Sequence, residues 1–289
     1  MAEFLQFAFS GLTVGAVYAL VALGFTLIYN ASEVVNSAQG EFVMIGGMAT
    51  VFLVALGVPL PLAAILTVMA AIIVGLLLHR LAIEPAMGSS LVTLIITIGA
   101  SIFLRGVAQI VFDKQFHSLP AFSGNTPISV LGATILPQSL WVLGGAAVIV
   151  LALWLFLDRT LTGKALLATA ANRLAARLVG IDTVKILALA FGVSAAIGAI
   201  AGVLATPITL TRYDIGTLVA LKGFAAAMLG GMGSPVGAVV GGLLLGLIEA
   251  FGAGYLSSTY KDGIAFIAIL VVLFVMPRGL FGGRSVERV

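Results

Sequence analysis

Apolar runs close to membrane length recur along this 289-residue chain, and no other feature restricts its fold as much. They occupy 4–29, 40–56, 60–78, 91–112, 139–157, 184–206, 218–232, 236–251 and 263–276. A helix of about 20 such residues crosses roughly 30 Å of hydrocarbon. Strands in the same setting would leave backbone N–H and C=O groups unpaired in lipid, so the runs read as helices. The expected architecture is an all-α integral membrane protein, a polytopic helical bundle of about eight or nine spans in one transmembrane domain, 1–289. The run 218–232, at about 15 residues, is marginal and either crosses or re-enters. On that choice hangs the side on which the N-terminus lies.

Composition removes the soluble alternative. Hydrophobic types make up 61% of the residues and charged types 9%, with mean hydropathy +1.24. That is far more apolar surface than one core can hide from water. The net charge of +3 invites a nucleic-acid partner, but the positions of the bases argue for a bilayer instead. Arg159, Lys164, Arg173, Arg177 and Lys185 fall in 158–185, and Arg278, Arg284 and Arg288 in the tail 277–289, eight of the fourteen Lys and Arg in two short segments. Such segments stay in the cytoplasm. Alternation then puts the loop 113–137 outside and 79–90 inside. The first basic residue is Arg80, so the N-terminal run lacks the charged start of a signal peptide and reads as a retained span. There is no cysteine, and the two histidines, His79 and His117, stand near span ends, so neither a disulfide framework nor a thiolate or histidine metal site is expected.

The segment 158–185, DRTLTGKALLATAANRLAARLVGIDTVK, is the one long stretch a bilayer could not hold. On one helix between Gly163 and Gly180, Leu167, Ala171, Leu174 and Leu178 form an apolar stripe, and Thr169, Arg173 and Arg177 a column on another face. Two readings stay open: an interfacial helix on the cytoplasmic leaflet, or a docking helix that enters a groove on a soluble partner. The loop 113–137 mixes Pro, Gly and Ser and can carry short helices or a hairpin, as a connector or as a landing surface for a soluble protein.

Two stretches set polar residues among glycines at membrane depth, Asn36-Ser-Ala-Gln-Gly-Glu41 and Gly230-Gly-Met-Gly-Ser-Pro235. Non-helical backbone in a membrane is tolerated where it is buried or lines a wet cavity. Paired interruptions of this kind point to a translocation path, here Asn36, Gln39, Gly40, Glu41, Gly230, Gly231, Gly233 and Ser234. Of the remaining ionisable residues, Arg105 and Lys222 read as snorkelling from helix ends and Glu249 as interfacial. Glycines four apart (Gly11/Gly15, Gly198/Gly202, Gly237/Gly241, Gly242/Gly246) are the signature of close helix packing. No G-x-x-x-x-G-K-[ST] loop, G-x-S-x-G elbow or H-E-x-x-H pair occurs, so ATP hydrolysis, enzymatic chemistry and a cofactor are not expected of this chain.

These motifs carry a resemblance. GLTVGAVYALVALGFTLIY, YNASEVVNSAQGEFVMIGG, AANRLAARLVGID and LGGMGSPVGAVVGG, in that order, are similar to the signatures of the branched-chain amino acid (LIV) permeases of ATP-binding-cassette importers. Ser37 stands where Phe is common, and Thr169-Ala170-Ala171 where the wider importer pattern has Glu-Ala-Ala. The resemblance implies a permease subunit of the bacterial inner membrane that moves leucine, isoleucine and valine. It also implies a second homologous permease, two ATPase subunits that bind the ATP, and a periplasmic substrate-binding protein. Ala171, Arg173, Leu174, Arg177, Leu178, Gly180 and Ile181 would then couple to the ATPase, and Arg177→Glu would uncouple transport. Alternatives are a permease for another small solute (amide, urea or sugar) and a stand-alone secondary transporter, against which the scarcity of buried acids weighs.

Overall fold

The computed structural model describes residues 2–86, 89–130 and 132–282. Nine helices answer to the nine apolar runs: α1 (Ala2–Ser32), α2 (Gln39–Ala55), α3 (Leu60–Leu78), α4 (Ser90–Val111), α5 (Pro137–Arg159), α8 (Thr183–Thr209), α9 (Ile215–Gly230), α10 (Pro235–Tyr255) and α11 (Lys261–Val275). Two short helices, α6 (Leu161–Ala171) and α7 (Arg173–Leu178), fall in the basic segment. Among the described residues six helices are long and apolar enough to cross a membrane. The others, α2, α9 and α11, have 17, 16 and 15 residues. The loop 113–137 contains a hairpin, β1 (Ile128–Val130) against β2 (Ala133–Ile135), with Ser129 opposite Thr134.

The helix α1 is apolar on every face, and a helix of that kind belongs inside. It packs against α10, α8, α9 and α5, and Leu20, Val21 and Ala22 are fully buried. By contrast α3, α4 and α5 turn Ile65, Ile95, Ile102 and Val148 outward, the surface a bilayer or a partner subunit covers. Small residues set the closest approaches. A Cβ on Gly11 would stand 2.9 Å from the Gly246 carbonyl oxygen, and one on Gly15 the same distance from that of Gly242. Each of the four glycine pairs thus meets a neighbouring helix: α1 against α10, Gly198 and Gly202 against α2, and Gly237 and Gly241 against α9.

Contacts at the two ends fix the direction of the chain. Gln6, in the first turns of α1, accepts a hydrogen bond from the Thr134 N–H of the hairpin at 2.6 Å. At the other end Asn30 donates to the Gly233 carbonyl at 2.9 Å. There Leu280 and Phe281 of the tail donate to Leu229 and Gly230, both at 2.9 Å. His117 of the loop bridges Thr211, just before α9, so α9 runs from the loop's end of the bundle to the tail's end. The N-terminus therefore lies with the loop 113–137, and the described tail residues 277–282 at the opposite end. The end that carries the basic segments is the one the positive-inside rule expects in the cytoplasm.

The single helix expected between Gly163 and Gly180 is two. Asn172 leaves helical geometry (φ −162°, ψ 104°), and its Oδ1 accepts from the Ala175 N–H at 2.9 Å, ending α6 and capping α7. Gly163 does not start the helix; Thr160 caps it, accepting from the Gly163 N–H at 2.9 Å. Gly180 does end α7, at φ +87°, and Ile181 N–H returns to the Ala176 carbonyl at 3.0 Å. The rest of the tail, 283–289, with Arg284 and Arg288, lies outside the described residues.

Candidate functional site: a charged cavity among the helices

A cavity of about 270 Å³ lies among α1, α8, α9, α10 and the start of α11. Much of its wall is apolar, including Val14, Val17, Val43 and Val142. Hydroxyls enter from Thr13, Thr206, Thr209 and Thr211. Into this wall is set an ionic cluster. Lys222 Nζ of α9 is 2.8 Å from Glu249 Oε1 of α10 and 2.6 Å from Asp262 Oδ1 of α11. Tyr18 of α1 donates its hydroxyl to Glu249 Oε2 at 2.9 Å. Lys261 stands more loosely, 3.8 Å from Glu249. The cluster thus ties four helices together around one buried lysine.

The reading of Lys222 as a snorkelling base and Glu249 as interfacial is therefore overturned. Each is buried, and the charge of one is what makes burial of the other tolerable. Arg105 is corrected in the same way. Its Nη2 lies 3.3 Å from Glu41 Oε1, and Ser101 donates to the same oxygen at 2.7 Å, joining α4 to α2. Sequence reasoning noted Glu41, Arg105, Lys222 and Glu249 one at a time but not their pairing, and it passed over Asp262, Lys261 and Tyr18. The available signal was a base and an acid inside two consecutive apolar runs, since such charges face the interior and pair.

A sequence profile described as "Branched-chain amino acid transport system / permease component" matches residues 7–273. The chain belongs to this family of transport permeases. It is 35% identical over 304 residues to the high-affinity branched-chain amino acid transport system permease protein LivH of Escherichia coli, covering 99% of this chain and 98% of that one. Against the protein of the same description, BraD, of Pseudomonas aeruginosa the identity is 36%, with the same coverage. The ribose import permease protein RbsC of Escherichia coli is 25% identical over 90% of this chain and 82% of its own. Among solved structures, PsaBC from Streptococcus pneumoniae in complex with Fab superimposes with a TM-score of 0.51 over 96% of this chain and 94% of that one. At 18% identity that likeness concerns the fold.

The residues of the permease expected on a translocation path form two separate groups. The first gathers where α2 begins. Asn36 Oδ1 accepts from the Ala38 N–H at 3.1 Å and turns the chain into the helix. Gln39 donates to the Ser194 carbonyl, and the single Ser194 O–H lies between two acceptors, Gln39 Oε1 at 2.6 Å and the Gly24 carbonyl at 2.8 Å, locking α2, α8 and α1. Gly40 meets Gly216 backbone to backbone, and Glu41 binds Ser101 and Arg105. The second group is the turn between α9 and α10. Gly231 and Gly233 take φ of +102° and +97°, which side chains disfavour. Ser234 caps α10 through the Gly237 N–H at 3.0 Å, and Gly230 sits against Gly237 and the tail. The length of α9 separates the groups, and none of the eight residues lines the 270 Å³ cavity.

Of the coupling candidates, Leu174 and Leu178 are 70% and 82% exposed on α7. Ala171 and Gly180 are exposed at the two ends of that helix, and Ile181 and Arg173 are half-buried. Arg177 Nε donates to the Thr183 hydroxyl at 2.8 Å. The break at Asn172 splits the expected column of side chains, since Thr169 is buried and Arg177 exposed. Asp182 caps α8, accepting from the Val184 and Lys185 N–H groups at 3.2 Å. The Lys185 backbone bond and its ammonium hold the Asp182 carboxyl below its usual range.

Proposed function

We propose that the chain is the membrane-spanning subunit of an ATP-binding-cassette importer that carries branched-chain amino acids, assembled with a second permease, two ATPase subunits and a binding protein at the outer face. The observation that carries this reading is the match along nearly the whole chain to permeases described as serving branched-chain amino acids. The exposed leucines of α7 suit a groove on a soluble partner at the cytoplasmic end. Ala171, Arg173, Leu174, Arg177, Leu178, Gly180 and Ile181 would form that docking element. Any push on α7 reaches α8 through the Arg177–Thr183 bond, and α8 supplies Thr206 and Thr209 to the cavity wall. The glycine-bounded turns around Gly40 and Gly230 would then permit α2, α9 and α10 to shift during the cycle. For ATP to drive the change, nucleotide must bind the two arrangements of the complex with different affinity.

The test is ATP-driven uptake by proteoliposomes that hold the complete transporter. Leucine, isoleucine and valine should accumulate only with ATP. Leu178→Glu, a change on an exposed side chain, should abolish uptake without lowering the yield of folded protein. Uptake of the same amino acids by this chain alone, without ATPases or ATP, would instead establish a secondary transporter.

A further inference from the structure

The cavity has a feature that packing alone does not require: two bases and two acids, Lys222, Lys261, Glu249 and Asp262, balance to no net charge in its wall. Two of them stand at the rim, and one of these, Asp262, spends only Oδ1 on Lys222. Lys261 and Asp262 are the first residues of α11, each with a half-exposed side chain, and the contact of Lys261 with Glu249 is long at 3.8 Å. Lys222 and Glu249 are buried behind them. Two helix N-termini also reach the cavity, that of α9 at Ile215 and that of α11 at Lys261. Neither is capped by the side chain before it, Asp214 or Tyr260. Uncapped N-termini present free N–H groups and partial positive charge, which attract a carboxylate. Helices that start within a membrane protein are used in this way at substrate sites.

We infer that this cavity is a binding site for a free α-amino acid in its zwitterionic form. The inference deepens the proposed function and rests on it. The carboxylate is held by Lys261 and the N-terminus of α11, and the ammonium by Asp262. Val14, Val17, Val43 and Val142 receive an aliphatic side chain. At about 270 Å³ the space lies just below the range of small-molecule sites, about 300–1,000 Å³, and suits a small ligand. A wall with no net charge accepts a zwitterion, whereas a ligand with one net charge leaves a wall charge unpaired in a poorly solvated place. A sugar offers no charge to either helix end.

The experiment exploits the lack of cysteine in the chain. Thr209, on the cavity wall and exposed, becomes a reporter as Thr209→Cys in the assembled transporter, with partner subunits freed of cysteine. Modification by a small thiosulfonate is timed with leucine, with leucinamide, which lacks the carboxylate, and with 4-methylpentanoate, which lacks the amine. Leucine should slow labelling, the two analogues should not, and Lys261→Gln should raise the leucine concentration needed for protection about tenfold, the value of one charge-assisted contact. Asp262→Asn should do the same, while a reporter at Leu161→Cys, far away in α6, stays insensitive. Labelling that leucine leaves unchanged, in a transporter that imports leucine, overturns the site and spares the proposed function. Equal protection by either analogue, or full protection in Lys261→Gln, overturns the charge assignment. A complete transporter that imports no branched-chain amino acid overturns the function, and the inference with it.

Discussion

Lys222 shows how a single residue can hold this bundle together. Its ammonium lies between Glu249 and Asp262 and 5.4 Å from the Tyr18 ring centre, so one side chain from α9 meets α10, α11 and α1. Removing one partner of a buried pair is costlier than removing both, because the remaining charge keeps its desolvation penalty. Lys222→Ala should therefore destabilise the permease by about 3–5 kcal/mol, and Lys222→Leu combined with Glu249→Leu by less. Thermal unfolding in detergent measures both; a double variant as unstable as the single one would show that the pair is not the source. Outside the bundle Asp113 behaves in the ordinary way. The His117 hydrogen bond, at 2.9 Å, and the Gln115 N–H hold its carboxyl below the usual range. Its contribution to loop order is complete above the unfolded pKa and is lost as pH falls through the lower folded one.

At the scale of elements, close approach and breaks matter more than hydrophobicity. Where α1 crosses α10, a Cβ on Gly246 would collide with the backbone of Gly11 and Gly15, whereas one on Gly106 of α4 meets nothing within 4 Å. Gly246→Ala should accordingly lower the yield of folded permease sharply. Gly106→Ala should be neutral, or stabilising by up to about 1 kcal/mol through helix propensity. Equal tolerance of both substitutions would sink the packing argument. The break at Asn172 is the second such feature. Asn172→Ala removes the cap of α7 at a cost of about 1 kcal/mol and lets α6 and α7 fuse into the one helix that the hydrophobic spacing favours. Leu174 and Leu178 would then point elsewhere. ATP-driven uptake should fall while the bundle stays folded; unchanged uptake would mean that the break has no part in coupling.

For the molecule as a whole the arrangement puts the start of α1 and the tail residues 277–282 at opposite ends. A cysteine at Glu3 or Ser123 should react with an impermeant maleimide from outside intact cells, and one at Leu161 or Leu178 only after the membrane is opened. Labelling of Glu3→Cys and Leu178→Cys from the same side would contradict the placement of the two at opposite ends of the bundle. This assignment was not available from hydropathy, because a 16-residue helix is as compatible with re-entry as with crossing. It came from contacts at the ends, Gln6 with the hairpin and Asn30 with the turn after α9.

Hydrophobic runs alone determined the helices, because apolar length and the exclusion of unpaired backbone from lipid leave little choice. The run 60–78 coincides with α3, and the other eight end within about three residues of theirs, apart from a slightly larger shift at the C-terminal end of α10. The glycine signatures and the exposed leucines of the basic segment were equally legible, since they depend on local spacing. Pairing was not legible. Lys222 meets Glu249 across 27 positions, and Glu41 meets Arg105 across 64. A base and an acid inside consecutive apolar runs hint that charges turn inward, but spacing does not say which partner on another helix each one meets. Only the packing of α1, α9, α10 and α11 decided it, by burying Lys222 and Glu249 and placing each within reach of the other. The break at Asn172 belongs to the same class. Periodicity favours one helix there, and it was the tertiary setting, with Thr169 turned inward, that committed the Asn172 side chain to capping.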